Sequence, residues 1–159
     1  MYFYTHTNGR SELEVSDNNV HHVAEYGVHI YGNNYAQTNA KIKNNELYAV
    51  STGLYFYNLT YSGSTELHIA DNRIHDNTTG VYCYFSNRGT AYPVFKNNSI
   101  YDNSNFGIRL YLNYNYSDVA ASFYNNTISG NSTGIHVDRN YSGSVKPEFI
   151  FNTVTGNAA

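Results

Sequence analysis

The sequence predicts an all-β fold: a single-stranded solenoid of about six stacked coils of 26–28 residues, with three short strands per coil. Three observations carry this. Asparagine recurs at Asn18, Asn45, Asn72, Asn98, Asn126 and Asn152, at spacings of 27, 27, 26, 28 and 26. Apolar residues hold fixed places around it. Val15, Ile42, Ile69, Phe95, Phe123 and Phe149 lie three residues before, and Val20, Leu47, Ile74, Ile100, Ile128 and Val154 two residues after. Glycine follows eight or nine residues on, at Gly27, Gly53, Gly80, Gly107 and Gly134.

Each element of a coil follows from this frame. The segment before the asparagine alternates apolar and polar residues, which is a strand with one face buried. The asparagine marks a tight turn, because Asn tolerates the left-handed backbone region. Stacked turns place identical amides one coil apart, about 4.8 Å, where they can hydrogen-bond as a ladder. A short strand around the next apolar residue leads to a second turn column: Val23, Val50, Asn77, Asn103, Asn131 and Asn157. Each glycine then opens a third strand, whose inward residues are Val28/Ile30, Leu54/Phe56, Val81/Cys83, Ile108/Leu110 and Ile135/Val137. A unit this short cannot bury its apolar side alone, whereas stacked units can. Asn, Gly, Tyr, Ser and Thr are poor helix formers, so long helices are not expected.

Asn72 to Cys83, with Asn at the turns and Gly80-Val81-Tyr82-Cys83 after them, and Asn126 to Val137 resemble the generic repeat N-x-I-x-x-N-x-x-G-I-x-V. That repeat belongs to the right-handed parallel β-helix of the pectate-lyase-like superfamily, and the resemblance spans all six coils as one domain, 1–159. The leucine framework of leucine-rich repeats is missing. The resemblance specifies a fold rather than an activity, since the superfamily holds lyases, hydrolases, epimerases, tailspikes and non-enzymatic surface proteins.

The ends are in register with the repeat. Met1-Tyr2-Phe3-Tyr4 matches Leu54-Tyr55-Phe56-Tyr57, and Asn157-Ala158-Ala159 matches Asn131-Ser132-Thr133. No capping segment is evident at either end. Open coil ends expose unpaired backbone and apolar cross-section. Two readings stand side by side: a piece of a longer β-helix, or subunits that stack end to end into a filament.

Composition excludes several classes. Nine Lys and Arg, a net charge of −3 and no basic run argue against a nucleic-acid surface. No stretch approaches the length of a transmembrane helix, and no signal-peptide pattern opens at Met1. The single Cys83 allows no internal disulfide and falls on an inward position, where it packs as a small hydrophobe.

Outward positions of the glycine strand carry the candidate chemistry. One column reads His29, Tyr55, Tyr82, Arg109, His136; the next reads Tyr31, Tyr57, Tyr84, Tyr111, Asp138. Tyr31, Tyr57, Tyr84, Tyr111, Tyr55 and Tyr82 form an aromatic stripe, joined by loop tyrosines Tyr35, Tyr61, Tyr114, Tyr116 and Tyr141. The stripe is either cross-coil packing or a surface for sugar rings or a neighbouring cell surface. Arg109, His136 and Asp138 are the nearest thing to a catalytic set. Asp138 could orient His136 as a general base, with Arg109 neutralising a uronate. Lyases of the resembling superfamily use acidic calcium clusters, and its hydrolases use paired Asp; no second carboxylate joins this face. Asp76 and Asp102 share a turn column that could take Ca2+, though Asp is common at turns. His21 and His75 share a column but are separated by Tyr48, and His22 has no evident partner. No metal site or cofactor is otherwise expected.

Seven N-glycosylation patterns occur, at Asn58, Asn77, Asn97, Asn115, Asn125, Asn131 and Asn140. Those on ladder positions read as by-products of the turns, and the loop sites Asn58, Asn115 and Asn140 are the better acceptors. The expected function is a non-enzymatic extracellular structural or adhesive β-solenoid. The alternatives are a polysaccharide-active enzyme domain with the stripe as its cleft, and a tailspike-like receptor-binding shaft, which requires trimers.

Overall fold

A computed structural model shows the chain as a parallel solenoid of three sheets. It describes residues 1–6, 10–33, 37–59, 64–86, 90–113, 118–140 and 144–159. The first sheet comprises Tyr2–His6, Tyr26–Asn33, Thr52–Leu59, Thr79–Phe85, Phe106–Leu112 and Thr133–Arg139. The second begins with Arg10–Ser16, Gln37–Lys43, Ser64–Ala70 and Thr90–Lys96, and its last two levels are each split into two short strands. The third stacks three-residue strands from Asn19–His21 to Thr153–Thr155. All pairings are parallel. Six levels in each sheet mean that the chain completes five full turns and most of a sixth. No helix occurs among the described residues.

The inward columns form one core. Val28, Ile30, Leu54, Phe56, Val81, Cys83, Ile108 and Leu110 are all fully buried, as are Ile42, Ile69, Phe95 and Phe123 from the second sheet. Phe95 and Phe123 stack inside it at 4.8 Å, and Phe149 continues the stack at 4.7 Å on the open last level. Burial of side chains this size contributes roughly 1.5–3 kcal/mol each. The last level is the exception. Val137, Phe149 and Val154 are 38%, 51% and 51% exposed, because no level covers them. Val137 was expected to be enclosed; its strand position faces the core, but enclosure needs a further coil.

The turns differ from expectation in an instructive way. The left-handed residue is not the ladder asparagine but the residue before it: Asp17, Asn44, Asp71, Asn97, Asn125 and Phe151. At the second turn it is His22, Ala49, Asp76, Asp102, Gly130 and Gly156. One left-handed residue reverses the chain and drives the next side chain inward. The ladder asparagines are thus buried, at 1–2% exposure from Asn45 to Asn126.

Each buried amide is saturated. Asn72 Nδ2 donates to Asn98 Oδ1 one coil on and to the Ile42 carbonyl one coil back, at 3.0 and 2.8 Å. Its own Oδ1 accepts from the backbone N–H and Nδ2 of Asn45. The pattern repeats from Asn18 to Asn152. A second ladder runs Asn77, Asn103, Asn131, Asn157, headed by the Val50 N–H. An outer row on the left-handed residues runs the opposite way: Asn44 donates to Asp17, Asn97 to Asp71 and Asn125 to Asn97.

The strands of the first sheet begin one residue before glycine, at Thr52 and Thr79 for example. The glycines hold their column for lack of space, not for a special φ. A Cβ on Gly80 would lie 2.6 Å from the Gly107 carbonyl oxygen, and one on Gly27 2.7 Å from that of Gly53.

Candidate functional site

The outer face of the first sheet brings the sequence-derived candidates together. Parallel register aligns Arg109 with His136 and Tyr111 with Asp138. Arg109 Nε and Nη2 both donate to Asp138 Oδ2, at 3.0 and 2.6 Å. His136 Nε2 lies 2.8 Å from the other carboxylate oxygen, Oδ1. Burial raises the Asp138 carboxyl, but hydrogen bonds from Arg109 and His136 and their charges outweigh it, and the net shift is downward. The Arg109 guanidinium also lies 5.1 Å from the Tyr82 and Phe106 rings and 5.5 Å from Tyr111. The carboxylate does meet the imidazole. It also meets the guanidinium expected to bind a uronate, so the cation is spent inside the chain.

The tyrosines are stacked like coins. Tyr4, Tyr31, Tyr57, Tyr84 and Tyr111 form one column, with centroid separations of 5.2, 5.0, 4.6 and 5.2 Å and interplanar angles of 15–28°. The adjacent column runs Tyr2, His29, Tyr55, Tyr82 and then Arg109. Ring faces in the stacked column are covered by the rings above and below, so ring edges and hydroxyls meet solvent. A sugar stacks on a ring face, and the interior of this column offers none. Burial raises the phenols of Tyr31, Tyr55, Tyr57 and Tyr82, with neighbouring tyrosines adding to it. Tyr2, Tyr26 and Tyr55 crowd His29 at 4.6–4.8 Å. Desolvation lowers its imidazole, and its Nε2 is buried without a partner among the described residues. Tyr35, Tyr61, Tyr114, Tyr116 and Tyr141 lie outside the described residues.

A second polar network sits on the third sheet, where sequence reasoning saw isolated residues. His75 is sandwiched between Tyr48 and Tyr101, at 5.1 and 4.8 Å and nearly parallel to both. Its Nδ1 lies 2.6 Å from Asp76 Oδ2 and its Nε2 3.3 Å from Glu46 Oε1. Arg73 Nη1 approaches Glu46 at 3.3 Å, and its Nε donates to the Tyr101 hydroxyl. The signal was available in the column His21, Tyr48, His75, Tyr101, but Glu46 and Arg73 reach it only diagonally. His22 does have a partner: its Nδ1 lies 2.6 Å from that of His21.

Asp76 and Asp102 occupy left-handed turn positions, with φ of 53° each. Asp76 serves His75, and no group of three His, Cys, Asp or Glu able to hold a metal occurs among the described residues. Asn58 must be corrected as a glycan acceptor: it is fully buried and its amide donates to Thr65 Oγ1. Asn140 is exposed and donates to Asn113, and Asn115 lies outside the described residues. Cys83 is buried, and desolvation raises its thiol far above the usual range.

A family model described as a right-handed beta helix region matches residues 5–159. The chain is a right-handed β-helix protein. No curated protein and no solved structure matches it. Membership fixes the architecture of this β-helix and agrees with the pectate-lyase-like resemblance. It assigns no residue a role. No helix among the described residues is long and apolar enough to cross a membrane.

Proposed function

We propose that this β-helix is a non-enzymatic structural or adhesive element of the cell surface or extracellular space. The observation that supports this best is the closed network on the tyrosine face. Both Asp138 oxygens are occupied, Arg109 is paired and ringed by aromatics, and the Tyr column covers its own ring faces. A site built for a polymer would leave such groups open. The test is an assay of uronate-containing and neutral polysaccharides with and without Ca2+. No cleavage is expected, and turnover abolished by Arg109→Ala or His136→Ala would overturn the reading.

The same reading takes the open cross-sections as self-association contacts. The buried ladder has a direction: from Asn18 to Asn126 each Nδ2 donates to the Oδ1 of the asparagine on the next, higher-numbered coil, and Asn18 Oδ1 at its head has no donor among the described residues. The last level presents Phe149 and Val154 uncovered. A further coil in register would continue the ladder and cover them; where a second copy supplies that coil, copies join end to end.

A polysaccharide-active domain is the second reading, and one observation favours it. A groove of about 450 Å3 on the outer face of the second sheet is lined by Glu12, Glu14 and Glu66 with Arg10, Lys41 and His68. It supplies the several carboxylates that the tyrosine face lacks. Activity lost in Glu66→Gln but retained in His136→Ala would favour this reading.

A further inference from the structure

The stacked tyrosine column has a chemical consequence that goes beyond the structural role. We propose that the column is a site of oxidative modification, in which tyrosines of successive coils couple into dityrosine when a one-electron oxidant of the haem-peroxidase class acts with hydrogen peroxide. The closest pair is Tyr57 and Tyr84, whose centroids are 4.6 Å apart with ring planes within 15° of parallel. Register places them directly opposite each other on hydrogen-bonded strands. Their hydroxyls therefore project in the same direction, and the ring carbons beside each hydroxyl face their counterparts. Both rings are part-exposed at their edges, so an oxidant can reach them.

The step balances as follows. Each phenol gives one electron to the oxidant and its hydroxyl proton to water. The two phenoxyl radicals form one carbon–carbon bond between ortho positions. The two ortho hydrogens then leave those carbons as protons while the oxygens are reprotonated, restoring both phenols. The pair loses two hydrogens in total, and one hydrogen peroxide is reduced to two waters.

Geometry selects the partner. A radical formed on any ring of the column has a neighbour within about 5 Å on the next coil, already held in place by the sheet. A tyrosine with an exposed ring and no neighbour in such a stack, such as Tyr92, can couple only by meeting another molecule. The product in dilute protein is therefore an intrachain staple that joins one coil to the next. Such a staple makes separation of those coils require breaking a covalent bond, in keeping with the proposed structural role but not dependent on that reading.

The experiment treats dilute full-length chain with peroxidase and limiting hydrogen peroxide, then reads dityrosine fluorescence, gel mobility and cross-linked peptides by mass spectrometry. The expected result is fluorescence in the monomeric band, with the Tyr57–Tyr84 linked peptide short by two hydrogens. Tyr57→Phe and Tyr84→Phe keep the stacked ring but cannot form a phenoxyl radical, so each should abolish that peptide; circular dichroism confirms that they fold. Fluorescence confined to interchain species, or linked peptides that use Tyr92 rather than the column, would overturn the proposal. So would the absence, from the oxidised wild-type monomer, of any peptide that links two tyrosines of the column. Polysaccharide assays do not enter this test, so its failure leaves the proposed function standing.

Discussion

Adjacent residues of one turn differ in what they lose on substitution. Asn98 is buried, and its amide serves Asn72, Asn126 and the Ile69 carbonyl at once. Asn98→Ala strands several buried polar groups, each costing about 1–3 kcal/mol. Asn97, its neighbour, is exposed and holds φ at 55°. Asn97→Ala keeps the buried ladder; it meets the left-handed penalty, about 1 kcal/mol, and loses the exposed outer-row bonds to Asp71 and Asn125, while Asn97→Gly escapes the backbone penalty and loses only those exposed bonds. Denaturant melts should rank Asn98→Ala far below Asn97→Ala; equal losses would refute this division of labour. The doubled asparagines were plain in the sequence. Which member of Asn44-Asn45, Asn97-Asn98 and Asn125-Asn126 reverses the chain was not, because both tolerate that backbone and only the direction of the turn separates them.

Acid should weaken the first sheet through two residues. The His29 imidazole is held below its ordinary value of 6.5 by burial, so the folded state resists its protonation. Its contribution is full above pH 6.5 and declines as pH falls through the lowered value. Asp138, held below its ordinary 3.8, adds stability that is full above that pH and lost only as pH falls through its own lowered value. Melting temperature against pH should therefore drop in two stages. His29→Phe should flatten the upper stage alone, and Asp138→Asn the lower; a His29→Phe profile parallel to wild type below pH 6.5 would contradict this.

At the scale of one strand, spacing between coils decides what fits. The glycine column lets neighbouring backbones close to within the reach of a Cβ, and Gly80→Ala forces that Cβ against the Gly107 carbonyl. Overpacking against backbone costs about 1–3 kcal/mol or more. Equilibrium unfolding should show that loss, and Gly80→Ala at wild-type stability would mean that the strands can spread. The sequence displayed the glycines as regular openings of a strand. The structure places them inside strands, where the constraint is the next coil rather than φ. The outward columns were equally legible as columns. Their stacking was not, because alternation says which side a ring is on but not whether it lies flat or edge-on.

At the scale of the whole molecule, almost all contacts join one coil to the next. Stability is then close to a sum of coil and interface terms, and the terminal levels are the weakest. Phe149 and Val154 at half exposure mark that weakness. If copies stack end to end, Phe149→Asp should place a charge in the junction. Sedimentation and electron microscopy are expected to show elongated assemblies for wild type and single particles for Phe149→Asp. Single particles in both would discard end-to-end association while leaving the fold untouched.

The sequence by itself determined the repeat, the three strands per coil, the inward columns and the existence of an amide ladder. These follow from periodicity, and a solenoid converts periodicity along the chain directly into columns in space. Only the tertiary structure decided that Arg109 is consumed by Asp138, that His75 lies between two carboxylates, that Asn58 is buried, and that the tyrosines cover one another's faces. Those outcomes depend on side-chain direction and on diagonal contacts across coils. A one-dimensional register aligns residues in columns but does not say which neighbour a flexible polar side chain will reach.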